Sequence, residues 1–179
     1  MVRIPPLAAL PPIAFAAIAG LFLSGMFRDD PNALPSTLEG QSAPSVEIEA
    51  LTGYAPITDS LLRASGPKLV NFWASWCAPC RVEHPQLMAL EAEGLAIYGV
   101  NFKDEPARAR QFLDRFGDPF SGVGADQDGR MALDWGVYGV PETFVVDGNG
   151  KVILRYAGPV TASVLKNRIR PALAEASAE

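Results

Sequence analysis

Polar and apolar positions divide the chain into three stretches. From Ile4 to Phe27 no residue is charged. From Arg28 to Ser45 turn formers take over, with Asp29, Asp30, Pro31, Asn32, Pro35, Ser36, Gly40, Ser42 and Pro44, a composition that behaves as a tether. Beyond it, short apolar runs alternate with helical patterns, the order of an α/β fold. Val46 to Ala50 reads as a short edge strand. Lys68 to Ala74 is β-branched and aromatic and predicts a buried central strand. A helix is expected from about Cys77 to Glu93, kinked where Pro85 lacks an amide and closed by Gly94. Leu95 to Phe102 predicts a second buried strand. Pro106 to Phe116 predicts a helix with proline in its first turn and Gly117 past its end. Strand, helix and strand in this order form a right-handed crossover with parallel strands. Met131 to Trp135 reads as one short helix. Thr143 to Val146 and Val152 to Tyr156 flank Asp147-Gly148-Asn149-Gly150 and predict a hairpin. A last helix runs from about Thr161, broken or bent at Pro171. Parallel strands followed by an antiparallel hairpin give a central mixed β-sheet flanked by helices.

The uncharged stretch changes where this domain is expected to reside. Residues 7–27 are long enough to cross a bilayer as a helix, with Pro5, Pro6, Pro11 and Pro12 crowding its entry. Leu23-Ser24-Gly25 is a poor cleavage site and no cysteine follows to accept a lipid, so an uncleaved signal anchor is expected. Arg3 precedes the span, and after Arg28 no Lys or Arg occurs until Arg63. The positive-inside rule then leaves residues 1–6 in the cytoplasm and the remainder outside. The expected organisation is a cytoplasmic N-terminus (1–6), a transmembrane signal anchor (7–27), a tether (28–45) and one domain (46–179). The net charge of −5, with basic residues scattered, gives no footprint for nucleic acid.

The chemistry is carried by Cys77 and Cys80, the two cysteines of the chain. Their spacing places both at the start of a helix that follows a buried strand, where unpaired N–H groups and the helix dipole stabilise a thiolate. Cys77 is expected as the exposed nucleophile and Cys80 as the shielded resolving thiol. Zinc requires four ligands, and beside these two sulfurs stands a single histidine, His84. A redox-active disulfide needing no cofactor or metal is therefore the leading reading. His84, ahead of Pro85, reads as a structural or surface residue. Pro79 lacks an N–H and fixes its own φ, which restrains the approach of the two sulfurs. Trp76 is placed to shield the nucleophile and offer an apolar platform, whereas Trp73 points the other way and reads as packing. Asp126-Gln127-Asp128-Gly129 lacks the further ligands of a calcium loop and reads as a turn. Outside the cytoplasm disulfides persist, so a dithiol there needs an electron donor to act as a reductant.

Phe72-Trp73-Ala74-Ser75-Trp76-Cys77-Ala78-Pro79-Cys80 resembles the active-site segment of thioredoxin-fold proteins, and Val140-Pro141 before a strand resembles their cis-proline loop. Gly136-Val137-Tyr138-Gly139-Val140-Pro141-Glu142-Thr143-Phe144, together with Asn101-Phe102-Lys103-Asp104 and Cys80-Arg81-Val82-Glu83-His84, is similar to the CcmG/DsbE family of membrane-anchored periplasmic thiol:disulfide proteins of cytochrome c maturation. The resemblance implies a thioredoxin-like fold behind an N-terminal transmembrane helix. It also implies a reductant of the haem-binding cysteines of apocytochrome c, acting directly or through a dithiol maturation partner, and re-reduced by a membrane electron donor of the DsbD/CcdA type. Pro141 is then expected cis beside the cysteines, with the Val140 backbone free to pair with an extended substrate segment. Glu142, if it faces the dithiol, disfavours a nearby thiolate and makes the pair a stronger reductant; otherwise it is a solvated strand-opening residue. Asn71 stands where thioredoxins carry a buried aspartate. Glu83, which shares a helix face with Cys80, is the candidate substitute, against the alternative of an ordinary surface glutamate. Three other functions remain open: a general periplasmic disulfide reductase, for example for copper-site cysteines, a metal-binding chaperone on the same scaffold, and a folding oxidase of opposite poise.

Overall fold

The computed structural model describes residues 10–26 and 37–178, which fall into two units dividing between Ala33 and Leu34. The first unit holds helix α1 (Leu10–Met26), 17 residues long. At a rise of about 1.5 Å per residue such a helix spans about 25 Å, against about 30 Å of bilayer hydrocarbon. Among the described residues no helix is long and apolar enough to cross a membrane. The expected anchor's ends at residues 7–9 and 27, the cytoplasmic N-terminus and most of the tether lie outside the described residues.

The second unit is a six-stranded sheet in the order β1-β4-β3-β2-β5-β6. Its strands are β1 (Glu49–Ala50), β2 (Lys68–Trp73), β3 (Ala96–Phe102), β4 (Gly122–Asp126), β5 (Glu142–Val146) and β6 (Val152–Ala157). Every residue of β2 is buried, as a β-branched and aromatic strand covered on both faces must be. β2, β3 and β4 run parallel, while β5 is antiparallel to β2 and pairs with β6 as a hairpin. Helices α3 (Ala78–Ala92) and α4 (Pro106–Phe116) and the C-terminal helix pack on one face around Leu69, Trp73, Ile97, Val123 and Val145. Trp73 lies within that core, its ring stacked on Phe120 at 5.5 Å and tilted against Phe112 at 5.3 Å. Helices α2 (Asp59–Leu62) and α5 (Arg130–Asp134) cover the other face around Val70, Phe72, Val100, Trp135 and Phe144.

Three local features depart from the sequence reading, and a fourth takes a form that the reading did not specify. β4 is not among the expected elements, since Gly122 and Gly124 interrupt the apolar pattern by which a strand is recognised. Both glycines are demanded by what lies over them: a Cβ on Gly124 would stand 2.7 Å from Ile48 Cδ1, and one on Gly122 would stand 3.0 Å from the Ala55 carbonyl oxygen. The opening edge strand shrinks from Val46–Ala50 to Glu49–Ala50, paired antiparallel to β4. Residues expected as the end of the tether are folded onto the sheet: Gly40 N–H donates to Val152 O, Ala43 N–H donates to Gly150 O, and Ala43 is buried. Pro171 does not break the last helix, and the distortion expected there takes the form of a widened turn just before it. Helix α6 (Ala162–Val164) runs into a π turn (Leu165–Ile169) and on through α7 (Arg170–Ala176). Proline has no amide to give to the carbonyl four residues back and its ring crowds that carbonyl, so the turn before it widens.

At the end of the sheet where β2 begins, Lys68 is buried and its Nζ donates to the carbonyls of Ala64, Gly66 and Asp147, each at 2.8 Å. The chemistry lies at the opposite end, where β2 finishes and β5 starts.

Candidate active site

The β2 strand delivers the chain through Ala74 and Ser75 to Cys77, which caps α3 with extended φ and ψ. Its Sγ accepts the N–H of Cys80 at 3.1 Å. Cys77 and Cys80 are joined as a disulfide with their Cα atoms 5.3 Å apart. Pro79 sits in the first turn of α3, where a missing amide leaves no gap in the ladder, and the helix continues through Pro85. The expected contrast between an exposed and a shielded sulfur is absent in this disulfide form, since Cys77 is 3% and Cys80 2% exposed. What differs between them is position: Cys77 has the helix N-terminus beside it, and Cys80 is one turn inside.

The segment before the disulfide is held by Asp104, beyond the end of β3. Its Oδ2 accepts the Ser75 N–H at 2.6 Å and Asn101 Nδ2 at 3.0 Å, and its Oδ1 accepts Ser75 Oγ and the Glu105 N–H, both at 2.8 Å. Trp76 projects from this clamp, 57% exposed, with its indole N–H given to Lys103 O at 3.2 Å. Lys103 adopts a left-handed φ of 43°, a conformation that costs a residue with a Cβ and is retained where the surroundings fix it. Asn101, Lys103 and Asp104 thus position Trp76, a role that residue type alone does not announce.

Glu83 is fully buried rather than a surface glutamate. Its Oε1 accepts Asn71 Nδ2 at 2.9 Å and its Oε2 accepts the Val160 N–H at 2.9 Å. Asn71 Nδ2 also reaches Thr143 Oγ1 at 3.1 Å, whereas Asn71 Oδ1 has no hydrogen-bond partner among the described residues. Burial pushes the Glu83 carboxyl up to about 7, opposed by these two donated hydrogen bonds. A carboxyl poised near neutrality one helical turn from Cys80 can take up and return a proton at working pH. Asn71, on the neighbouring strand, holds that carboxyl rather than itself accepting a proton.

Glu142 occupies a different setting from either expectation. In the register of β2 with β5, Glu142 stands opposite Phe72 and Thr143 opposite Asn71. Glu142 therefore shares the sheet face of Phe72 and Phe144, while Asn71 and Thr143 point to the face that carries α3. Glu142 is 2% exposed and ion-paired, its Oε2 accepting Arg155 Nε at 2.7 Å. Its Oε1 accepts the N–H of Tyr138 at 2.7 Å and of Gly139 at 3.4 Å. Arg155 continues the network to Gly136 O at 2.7 Å, with its guanidinium 4.7 Å from the Tyr138 ring centroid. The pair anchors the 136–139 loop, with its charges matched on the sheet face opposite α3. The sequence reading missed Arg155; the signal available was its place opposite Phe144 in the hairpin, where an apolar residue was due.

The loop that Glu142 anchors ends in Val140–Pro141, whose peptide bond is cis. Val140 packs partly buried against the core that holds both cysteines. Pro141 precedes β5, which runs antiparallel to β2 and so starts at the end where β2 gives way to the disulfide. His84, the remaining candidate, is committed elsewhere. It is buried with Nε2 2.9 Å from Gly117 O and its ring edge-on to Phe112, and burial lowers its pKa.

A disulfide closing the first turn of a helix, fed by a central strand and faced by a cis X–Pro bond on the adjacent antiparallel strand, places the molecule among thioredoxin-like thiol:disulfide oxidoreductases. Comparison with known proteins agrees: the Redoxin family model matches residues 38–169. The thiol:disulfide interchange protein HelX of Rhodobacter capsulatus is 52% identical over 169 residues, covering 94% of this chain and 96% of that protein. A DsbE homolog of Paracoccus denitrificans is 49% identical over 178 residues, covering 99% of each. Among solved structures, a DsbE-type thiol:disulfide interchange protein from Chlorobium tepidum superposes with a TM-score of 0.66 at 32% identity, over 77% of this chain and 99% of that one. The chain belongs to the redoxin family, within its DsbE/HelX group of thiol:disulfide interchange proteins.

Proposed function

We propose that this protein is the membrane-anchored periplasmic reductant of the haem-binding cysteines of apocytochrome c, acting on them directly or through a dithiol maturation partner. Residues 7–27 serve as the single-pass anchor, and a DsbD/CcdA-type membrane protein resupplies electrons. In the forward step the Cys77 thiolate attacks one sulfur of the client disulfide. That S–S bond breaks, the client's second sulfur leaves as a thiolate, and a mixed disulfide forms. Cys80 then attacks the Cys77 sulfur, which releases the client's first sulfur and regenerates the Cys77–Cys80 bond. Two electrons pass to the client, and the two protons that the thiols give up match the two the client dithiol acquires. No cofactor or metal enters the step.

The observation that carries this reading is the Glu83 carboxyl, buried one helical turn after Cys80, with its pKa raised to about 7. It accepts the Cys80 proton as that thiol turns nucleophile. When charged it disfavours thiolates nearby, which favours oxidation of the pair and suits a reductant. Around it, Trp76 offers the client an exposed apolar platform and Val140 offers backbone beside the cis Pro141 for a short β-bridge. Pro79 restrains the turn between the sulfurs, and Glu142 acts on the redox site by holding the loop that carries Val140 and Pro141.

The test is a Cys80→Ser chain, which stalls at the mixed disulfide, expressed in cells that make c-type cytochromes. Non-reducing gels and mass spectrometry should recover apocytochrome c or a dithiol maturation protein linked to Cys77. Recovery of unrelated disulfide proteins only, or of none, would contradict the assignment.

A further inference from the structure

Beside the dithiol, between α3 and α4, a cleft of about 260 Å³ is lined by Ser75, Arg81, Arg108, Gln111, Arg115 and Phe116. Its two ends bracket the redox pair in sequence, Ser75 lying two residues before Cys77 and Arg81 following Cys80. The exchange chemistry uses none of its arginines.

Phe116 forms the floor. Its ring is fixed 4.9 Å from Phe112 and 6.4 Å from His84. The guanidinium carbons of Arg81 and Arg115 lie 5.4 Å and 5.2 Å from the Phe116 ring centroid, so one ring holds two cations. A guanidinium held over a ring by its charge still has N–H donors to offer a carboxylate. Among the described residues neither Arg81 nor Arg115 takes part in a salt bridge. Arg108 pairs with Glu105 at 2.8 Å, and both of these side chains are largely exposed. The nearby Asp104 carboxylate is 5% exposed and already accepts four hydrogen bonds. The cleft is therefore cationic in a chain whose net charge is −5.

We propose that this cleft docks carboxylate side chains of the partner polypeptide, so that the protein prefers disulfides flanked by acidic residues. The inference deepens the proposed reductant reading and rests on it. A client sulfur attacked by Cys77 places its flanking residues within reach of Ser75 and Arg81, and the paired guanidinium groups engage acidic side chains there. Long-range repulsion from a chain of net charge −5 opposes acidic peptides, so an acidic preference must come from this local charge.

The experiment uses the full chain, reduced and in non-ionic detergent, with three synthetic disulfide peptides that differ only in a Glu-Glu, Gln-Gln or Lys-Lys pair beside one cysteine. Rates of peptide reduction are measured at low salt and at high salt. The expected order is Glu, then Gln, then Lys, with about a tenfold span between the extremes at low salt, in keeping with two exposed charge pairs. The span should collapse at about 1 M salt, where the Debye length is about 3 Å. In an Arg81→Gln/Arg115→Gln chain it should disappear while the Gln-Gln rate is kept. Equal rates for the three peptides, or a preference that survives in the double variant, would overturn the docking cleft and leave the reductant reading intact. Failure to reduce even the Gln-Gln peptide would contradict the reductant reading and this inference together.

Discussion

Replacing Glu83 by glutamine removes one titration from the folded interior and leaves its shape almost unchanged. Glu83 ionises near 4.5 when solvated and near about 7 in the fold, because burial penalises the charged form. A carboxyl whose pKa is raised on folding makes the folded state bind the proton more tightly. Stability is then highest below the unfolded value and falls as pH rises through the window between the two. At about 1.4 kcal/mol per pKa unit, the gap between 4.5 and about 7 amounts to about 3 kcal/mol lost by pH 8. Glutamine imitates the protonated carboxyl. Rotation of the Asn71 amide would let its unpartnered Oδ1 accept from the new amide, while the glutamine oxygen keeps the Val160 N–H. Denaturant unfolding of both oxidised chains from pH 4 to pH 8.5 reads the difference, in which His84, Asp118 and other groups common to the two chains cancel. The variant should match the wild type near pH 4 and exceed it by about 3 kcal/mol at pH 8. A difference that stays flat across this range, or a wild type that gains on the variant as pH rises, would refute a buried, proton-binding Glu83.

Glu142→Ala removes the carboxylate that pairs with Arg155 in the fold and leaves its guanidinium with neutral partners, the Gly136 carbonyl and the Tyr138 side chain. It should cost about 3–5 kcal/mol in denaturant unfolding. Because Glu142 lies on the far sheet face, its removal should shift the reduction potential less than Glu83→Gln does in the same redox buffer. Asp104→Ala releases the four donors that position Ser75 and Trp76. Trp73 and Trp135 are at most 2% exposed, so increased acrylamide quenching of tryptophan fluorescence in this variant would report Trp76 coming loose. Lys68→Met removes three charge-assisted bonds to carbonyls at the opposite end of the sheet. It should cost about 3 kcal/mol while leaving the rate of disulfide exchange unchanged.

Elements with strong periodic or β-branched signals were legible in the sequence. The β2 strand, the helix that follows the cysteines, β3, α4 and the β5–β6 hairpin lie within a few residues of where pattern and punctuation put them. β4 was hidden because its composition answers a tertiary demand: Gly122 and Gly124 make room for the 48–56 segment that crosses them, and glycine on its own reads as loop. The π turn before Pro171 was equally out of reach, since proline announces a defect and packing decides how it is absorbed. At the site, the cysteines were plain from spacing. The contrast between Glu83 and Glu142 was not, because which face of the sheet a carboxylate meets depends on the pairing of β2 with β5, and pairing is not written in either strand alone. One glutamate is held by the Asn71 amide and the Val160 N–H, and the other is buried with Arg155.

The central claim is that Cys77 and Cys80 form a reducing pair, and the equilibrium reduction potential of the full chain tests it most directly. Titrated against a dithiothreitol or glutathione buffer, the pair should settle near the thioredoxin value of about −270 mV or not far above it. A potential near about −120 mV, that of a strong oxidant, would contradict the claim and reverse the direction of electron flow proposed for this protein.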